Sequence, residues 1–171
     1  MKQRGTTGYI LACLILITSC QSLSPGAAYN PLTNMVAVPL TRLPSLHHIL
    51  TVEIQNVPGT FLVDTGANRT VVRDNRLQHF NIERADAHGQ SRLIILEDVD
   101  RARVHHINSL SVSGITFPLT EVLSMNVDHL LDPIEDASGL SIDGILGMDA
   151  LLSLGTLIEL RTDTLYVEPV S

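Results

Sequence analysis

Chemistry in this chain starts from one segment, Thr60-Phe61-Leu62-Val63-Asp64-Thr65-Gly66-Ala67-Asn68. An apolar run suited to a buried strand ends in an acid, a hydroxyl and a glycine. Such a strand delivers the Asp64 carboxylate to the edge of a core and then turns at once. Gly66 has no Cβ, so its backbone can approach a partner closely. Thr65 is expected to lock the turn with its hydroxyl. Asp, Thr and Gly are also ordinary turn formers, so this stretch taken alone is equally a simple strand end. Other chemistries find less support. Seven histidines invite a metal, yet His47-His48 and His105-His106 are adjacent pairs on expected strands, where neighbours point to opposite faces. There is no His-Glu-x-x-His and no cysteine pair at zinc spacing, so no metal site is expected. Gly139-Leu140-Ser141-Ile142-Asp143-Gly144 misses the spacing of a nucleophile elbow by one residue, which leaves Ser141 a loop residue. The acids from Glu97 to Asp100 read as a solvated turn.

A second stretch changes the weight of the first. Ile145-Leu146-Gly147-Met148-Asp149-Ala150-Leu151 follows far downstream. In this order the two stretches resemble the retropepsin-like (retroviral-type) aspartic peptidase family. In that family an apolar-Asp-Thr-Gly-Ala loop is followed by an apolar-apolar-Gly strand leading into a helix. The resemblance spans about Leu46 to Val167. It implies an all-β fold: a small closed β-barrel-like aspartic protease half-fold, a single lobe with one or two short helices. It also implies that Asp64 is the catalytic acid/base, with Thr65, Gly66 and Ala67 shaping the active-site loop. Asn68 is implied to line the cleft, and Gly89 is placed with it as the tip of a flap hairpin near His88-Gly89-Gln90.

The chemistry behind the resemblance is physical. Hydrolysing a peptide without a metal or a covalent nucleophile needs a base for water and an acid for the amide. Two adjacent carboxylates supply both, because they cannot both ionise cheaply. They titrate as a unit. The chain holds no second apolar-Asp-Thr/Ser-Gly. Asp143-Gly144 lacks the hydroxyl residue and Asp163-Thr164-Leu165 lacks the glycine. One motif in a half-length chain implies a twofold homodimer in which Asp64 meets its own copy, and by resemblance Thr65 bonds across that interface. Two positions depart from the viral pattern: Asn68 stands where an acid is common, and Met148 where Arg often follows the glycine. Arg69 and Asp149 are expected to supply the missing ion pair with the charges exchanged. The implied substrate is an extended peptide or protein segment with apolar side chains, and no cofactor is needed. A protease-fold lipoprotein that binds peptides or a protein partner without cutting is the alternative.

The elements that must position these residues are short strands. Met35 to Leu40 reads as an edge strand because of Pro39. Val52–Ile54 and Thr60–Val63 read as a hairpin around an Asn56-Val57-Pro58-Gly59 turn. Thr70–Val72 follows, then a helical turn over Arg73–Phe80 with Asp74 as its N-cap. Arg92–Leu96 and Arg103–Val112 are strand candidates, and Ser113-Gly114 turns into Ile115–Ser124. Leu130 to Gly139, polar and containing Pro and Gly, reads as a loop. Ile142 to Leu152 reads as a strand and then a helix. Thr156–Leu160 and Thr164–Val167 close the chain as a hairpin. Many short strands at close spacing indicate a barrel or sandwich.

Composition fits that picture. The chain has 171 residues, 44% of them hydrophobic, with only 4% aromatic and no Trp. The core must therefore be built from Leu, Ile and Val, which favour strands. A formal charge of −7 argues against nucleic acid as a partner. Residues 1–19 read as a signal peptide: Lys2 and Arg4, an apolar run over Ile10–Ile17 too short to span a bilayer, then Ile17-Thr18-Ser19-Cys20. This resembles the lipobox of bacterial lipoproteins, in which the Cys, here Cys20, carries the lipid; plain secretion or a membrane anchor is the other reading. Residues 20–34, with Ser24-Pro25-Gly26 and Asn30-Pro31, read as a linker, and 35–171 as the protease domain. The expected place is the bacterial cell envelope, lipid-anchored and facing the periplasm. Gln21 after the Cys favours the outer membrane over the inner.

Overall fold

The computed structural model describes residues 34–83 and 102–168. The expected signal peptide, Cys20, nearly all of the linker, the flap at His88-Gly89-Gln90, the Arg92–Leu96 strand and the Glu97–Asp100 turn lie outside the described residues. The described elements are mostly strands. In chain order they are β1 (Val36–Pro39), β2 (Thr41–Arg42), β3 (His48–Ile54), β4 (Val57–Val63), β5 (Val71–Arg73), a single 3-10 turn (Asp74–Arg76), β6 (Arg103–His106), β7 (Leu110–Val112), β8 (Ile115–Phe117) and β9 (Glu121–Met125). Helix α1 (Asp128–Ser138), β10 (Gly144–Leu146), helix α2 (Met148–Ser153), β11 (Leu157–Glu159) and β12 (Thr164–Val167) follow. The architecture is the expected all-β one with two short helices.

A large curled sheet runs in the order β6-β9-β5-β10-β4-β3-β7-β8, with β2 added beside β3. A second sheet has the order β1-β12-β11. There β1 is an edge strand, as Pro39 requires. The centre of the large sheet is buried on both faces, so its strands alternate between two cores. Phe61, Val72 and Leu146 face one apolar cluster. Their neighbours Leu62, Val71 and Ile145 face the other. This double burial is why β4, β5 and β10 read as unbroken apolar runs rather than as alternating ones.

Several boundaries differ from expectation. The β3–β4 turn is Gln55-Asn56, not Asn56 to Gly59; both residues have positive φ, 52° and 64°. Two-residue hairpin loops of this kind match the strand twist. Gln55 is held there by its amide, which donates to Phe80 O at 2.8 Å and Asn81 O at 2.9 Å. Pro58 sits inside β4 opposite Glu53. That rung is of the non-hydrogen-bonded type, so its missing N–H costs no ladder bond. Gly59 is required in the strand for closeness: a Cβ there would lie 2.4 Å from Phe80 Cζ.

The Arg103–Val112 strand is divided into β6 and β7, and Ile115–Ser124 into β8 and β9. Asp74 is the first residue of its 3-10 turn rather than the N-cap; Arg73 holds the cap position without a side-chain bond.

The largest correction is α1, where a loop was expected over Leu130–Gly139. The helix forms despite Pro133 because tertiary contacts outweigh propensity. Leu131 and Ile134 bury against the second apolar cluster. Asp128, Asp132 and Glu135 line up at helical spacing and all reach Arg73 on β5, at 2.7, 2.5 and 2.9 Å. Gly139 ends the helix in the left-handed region, φ 70°, and donates its N–H to Glu135 O.

Candidate active site

β4 and β10 run side by side in parallel, with Val63 opposite Leu146. Both strands end at the same level, where β4 gives way to the Asp64 loop and β10 to Gly147 and α2. The ladder continues one step further: Asp64 donates its N–H to Leu146 O at 3.1 Å. Strand alternation therefore aims Asp64 to the face of Leu62, two residues earlier.

The loop closes on Asp64 itself. Gly66 N–H donates to Asp64 Oδ1 at 2.8 Å, and Ala67 N–H to Asp64 O at 3.2 Å. Thr65 does not lock the turn, contrary to expectation. Its side chain is exposed and makes no hydrogen bond among the described residues. An aspartate that accepts from the backbone two residues on provides the closure instead. Asp64 is half-buried and forms no ion pair among the described residues.

Helix α2 holds the loop from behind. Met148 N–H donates to Ala67 O at 2.8 Å and Asp149 N–H to Asn68 O at 3.3 Å. Asp149 gathers the far end of the loop: its Oδ1 accepts from Thr70 N–H at 2.8 Å, from the Thr70 hydroxyl at 2.7 Å and from Ala150 N–H at 2.8 Å. Its Oδ2 accepts from Arg69 Nε at 3.1 Å. The ion pair expected between Arg69 and Asp149 is thus formed, and Arg69 also faces Glu121 at 3.6 Å. Thr70 is fully buried and was not singled out from the sequence. Its hydroxyl accepts from Gly147 N–H at 3.2 Å, so it ties both strand ends together. Gly147 lies against the Arg69-Thr70 backbone so closely that a Cβ would sit 2.5 Å from Arg69 O. The glycine after the apolar pair is there to let two backbones touch.

The remaining predicted residues place as follows. Ala67 is half-buried against the cluster that contains Leu62 and Ile145. Asn68 is exposed and contributes its backbone carbonyl to α2. Gly89 and Cys20 lie outside the described residues. Asp143 belongs to the opposite end of β10. Its backbone N–H donates to Thr60 O at 2.7 Å, and its Oδ2 accepts from Thr60 N–H at 2.8 Å. Thr60 is four residues before Asp64, roughly 13 Å along a strand. Asp143 therefore fastens the entry to β10 to the middle of β4 and is no partner for the Asp64 of its own chain. Among the described residues no group of three or more His, Cys, Asp or Glu is arranged to hold a metal.

The site is thus an Asp-Thr-Gly-Ala loop tied by backbone hydrogen bonds to a Gly-led helix. The sequence profile of the aspartyl protease family matches residues 50–150. The chain belongs to the aspartyl protease family. No curated protein matches it in sequence. Among solved structures, a retropepsin-like aspartic protease from Rickettsia conorii superposes with a TM-score of 0.54 at 19% identity, covering 79% of this chain and 90% of that chain. The fold is accordingly a retropepsin-like single lobe. Two other solved structures overlap less closely. The retroviral protease-like domain of Ddi1 from Leishmania major has a TM-score of 0.46 at 16% identity, covering 71% of this chain and 88% of its own. The EIAV protease, in complex with an inhibitor, has 0.48 at 19%, covering 70% and 98%.

Proposed function

We propose that this aspartyl protease is an endopeptidase whose active site forms when Asp64 of one copy meets Asp64 of a second. The observation that carries the reading is the state of Asp64. Its loop is fixed by backbone bonds from both sides, its carboxylate is half-exposed, and no carboxylate partner reaches it among the described residues. A site so firmly held and yet lacking its second acid is half a dyad.

In the assembled pair one carboxylate is ionised and the other protonated. The ionised Asp64 takes a proton from water as its oxygen attacks the scissile carbonyl carbon. The protonated Asp64 gives its proton to the carbonyl oxygen, forming a gem-diol. A diol proton then returns to one carboxylate while the proton on the other passes to the amide nitrogen. The C–N bond breaks, leaving a carboxylic acid and an amine, and the dyad again holds one proton. Gly66 and Ala67 place backbone beside the extended substrate, with Asn68 at the rim. The lipobox-like segment supports a lipid anchor on Cys20 and a periplasmic domain, with residues 21–34 as the tether.

Incubation with a mixed peptide library, beside Asp64→Asn, tests the reading. Cutting by the native protein and a loss of at least about a thousandfold in the variant are expected. Cleavage that survives Asp64→Asn removes Asp64 from the mechanism. Sedimentation of a protein starting after Cys20 reads the dimer, and a strictly monomeric, inactive protein points to a peptide-binding module instead. Metabolic labelling with palmitate tests Cys20, and unlabelled protein rules out the anchor.

A further inference from the structure

The sheet face onto which Asp64 projects is already occupied. Leu62 precedes Asp64 by two residues on that face, about 6.7 Å away along the strand. Ile145 pairs with Leu62 and Val71 pairs with Ile145. Together they make an apolar floor directly beside the carboxylate, and Ala67 of the catalytic loop packs at its margin. An extended peptide whose scissile carbonyl lies at Asp64 directs its flanking side chains toward this floor, because successive side chains alternate and the nearest ones straddle the bond. Yet Leu62, Val71 and Ile145 are each no more than 6% exposed. Leu131 and Ile134 of α1 are buried in the same apolar cluster as these three, together with Leu43, Ile49 and Leu123. Arg73, which binds Asp128, Asp132 and Glu135 in one cluster, fastens the helix to β5 at the edge of the same floor.

We infer that α1 fills the subsite beside Asp64 and makes the enzyme selective for peptides with small residues, Gly, Ala or Ser, next to the scissile bond. This rests on the proposed function and narrows the apolar side chains that the family resemblance implies to the smallest ones. In a twofold dimer each side of the bond meets the same filled floor, in one copy or the other. Leu131 and Ile134 are then specificity-determining residues that never touch the reacting atoms.

The test uses the full chain and two peptides that differ only at the two residues flanking the bond, Ala-Ala against Phe-Phe. The native protein is expected to favour the Ala peptide in kcat/KM by about a hundredfold or more, and Leu131→Ala to narrow that ratio at least about tenfold. Ile134→Val opens the floor by one methylene and narrows the ratio less. It carries the test if Leu131→Ala does not fold. Binding of the same peptides, fluorescently labelled, to Asp64→Asn and to Asp64→Asn with Leu131→Ala is followed by anisotropy. Selective binding of the Ala peptide that relaxes in the double variant supports the filled floor even if nothing is cut, and in that case only the dyad reading fails. Efficient cutting of the Phe peptide by native protein, equal binding of both peptides, binding of neither, or an unchanged ratio in the folded variants overturns the inference.

Discussion

Replacing Arg73 by Met tests how α1 is held. In the native protein the Arg73 side chain is 9% exposed and its guanidinium donates to Asp128 at 2.7 Å, Asp132 at 2.5 Å and Glu135 at 2.9 Å. It also donates to Ile142 O at 3.2 Å. Burial by itself pulls the Arg73 pKa down. The hydrogen bonds that Arg73 donates to Asp128, Glu135 and Asp132 outweigh it and leave the pKa raised, so Arg73 is charged at every accessible pH. The three pairs are unequal. Asp128 and Asp132 are 43% and 56% exposed, so water replaces much of what Arg73 gives them. Each such pair contributes at most about 1 kcal/mol. Glu135 is 22% exposed, and its bond contributes about 1.5–3 kcal/mol. Methionine keeps much of the aliphatic stem, so packing is largely retained. The expected loss is about 3 kcal/mol, a fall in Tm of about 12 °C for a domain of this size. Urea unfolding followed by far-UV circular dichroism measures it, with an unchanged m-value showing that the unfolded state is the same. Asp132→Asn, by contrast, is expected to cost under about 1 kcal/mol. The reasoning fails if Arg73→Met costs less than about 1 kcal/mol, or if Asp132→Asn costs as much as removing the arginine.

Two further outcomes follow from the loop and its supports, and a third from Asp163 in the turn between β11 and β12. Thr70→Val removes a buried hydroxyl that serves Asp149 and Gly147 together, and is expected to cost about 1–3 kcal/mol in urea unfolding; a neutral change would show that the hydroxyl ties nothing. Gly147→Ala forces a methyl onto the Arg69 carbonyl, where backbone must give way; its Tm is expected to fall well below that of Ala67→Gly, and equal values would contradict the close contact. The hydrogen bond from His48, joined by Arg42 and opposed by burial, holds the Asp163 carboxyl below its ordinary value of 3.8. A depressed carboxyl stabilises the fold above that value and loses its effect as pH falls through its folded value. Native protein is therefore expected to lose stability relative to Asp163→Asn only below about pH 3.8; parallel stability curves through that range would refute the pairing.

Local signals made the site legible. Apolar lead-ins, an acid at a strand end and a glycine before a helix each report on their own few residues, and the exchanged Arg69–Asp149 pair could be named by comparing two neighbouring positions with a pattern. Helix α1 was not legible for the opposite reason. Its stripe of acids is matched to Arg73, more than fifty residues earlier, and its apolar stripe amounts to Leu131 and Ile134 with Pro133 between them. Read locally, that composition is a loop. Thr70 was missed likewise, since a threonine at the start of an apolar run gives no hint that both its hydroxyl functions are engaged across the sheet. The Gln55-Asn56 turn was masked by Pro58 and Gly59, turn formers by type whose duties here are a tolerated rung and a close ring contact rather than a bend.

The small sheet has a mechanical consequence. β1 and β12 are antiparallel with Val36 opposite Val167 and Pro39 opposite Thr164. The chain thus enters and leaves this sheet side by side, at one corner. A pull between residues 35 and 168 loads the Val36–Val167 rung first and the others only after it parts, so the pair peels like a zipper instead of resisting as a block in shear. The same adjacency makes the two ends easy to join by a short peptide, and a break opened in the Ser113-Gly114 turn would then give a permuted chain with every rung of that sheet intact.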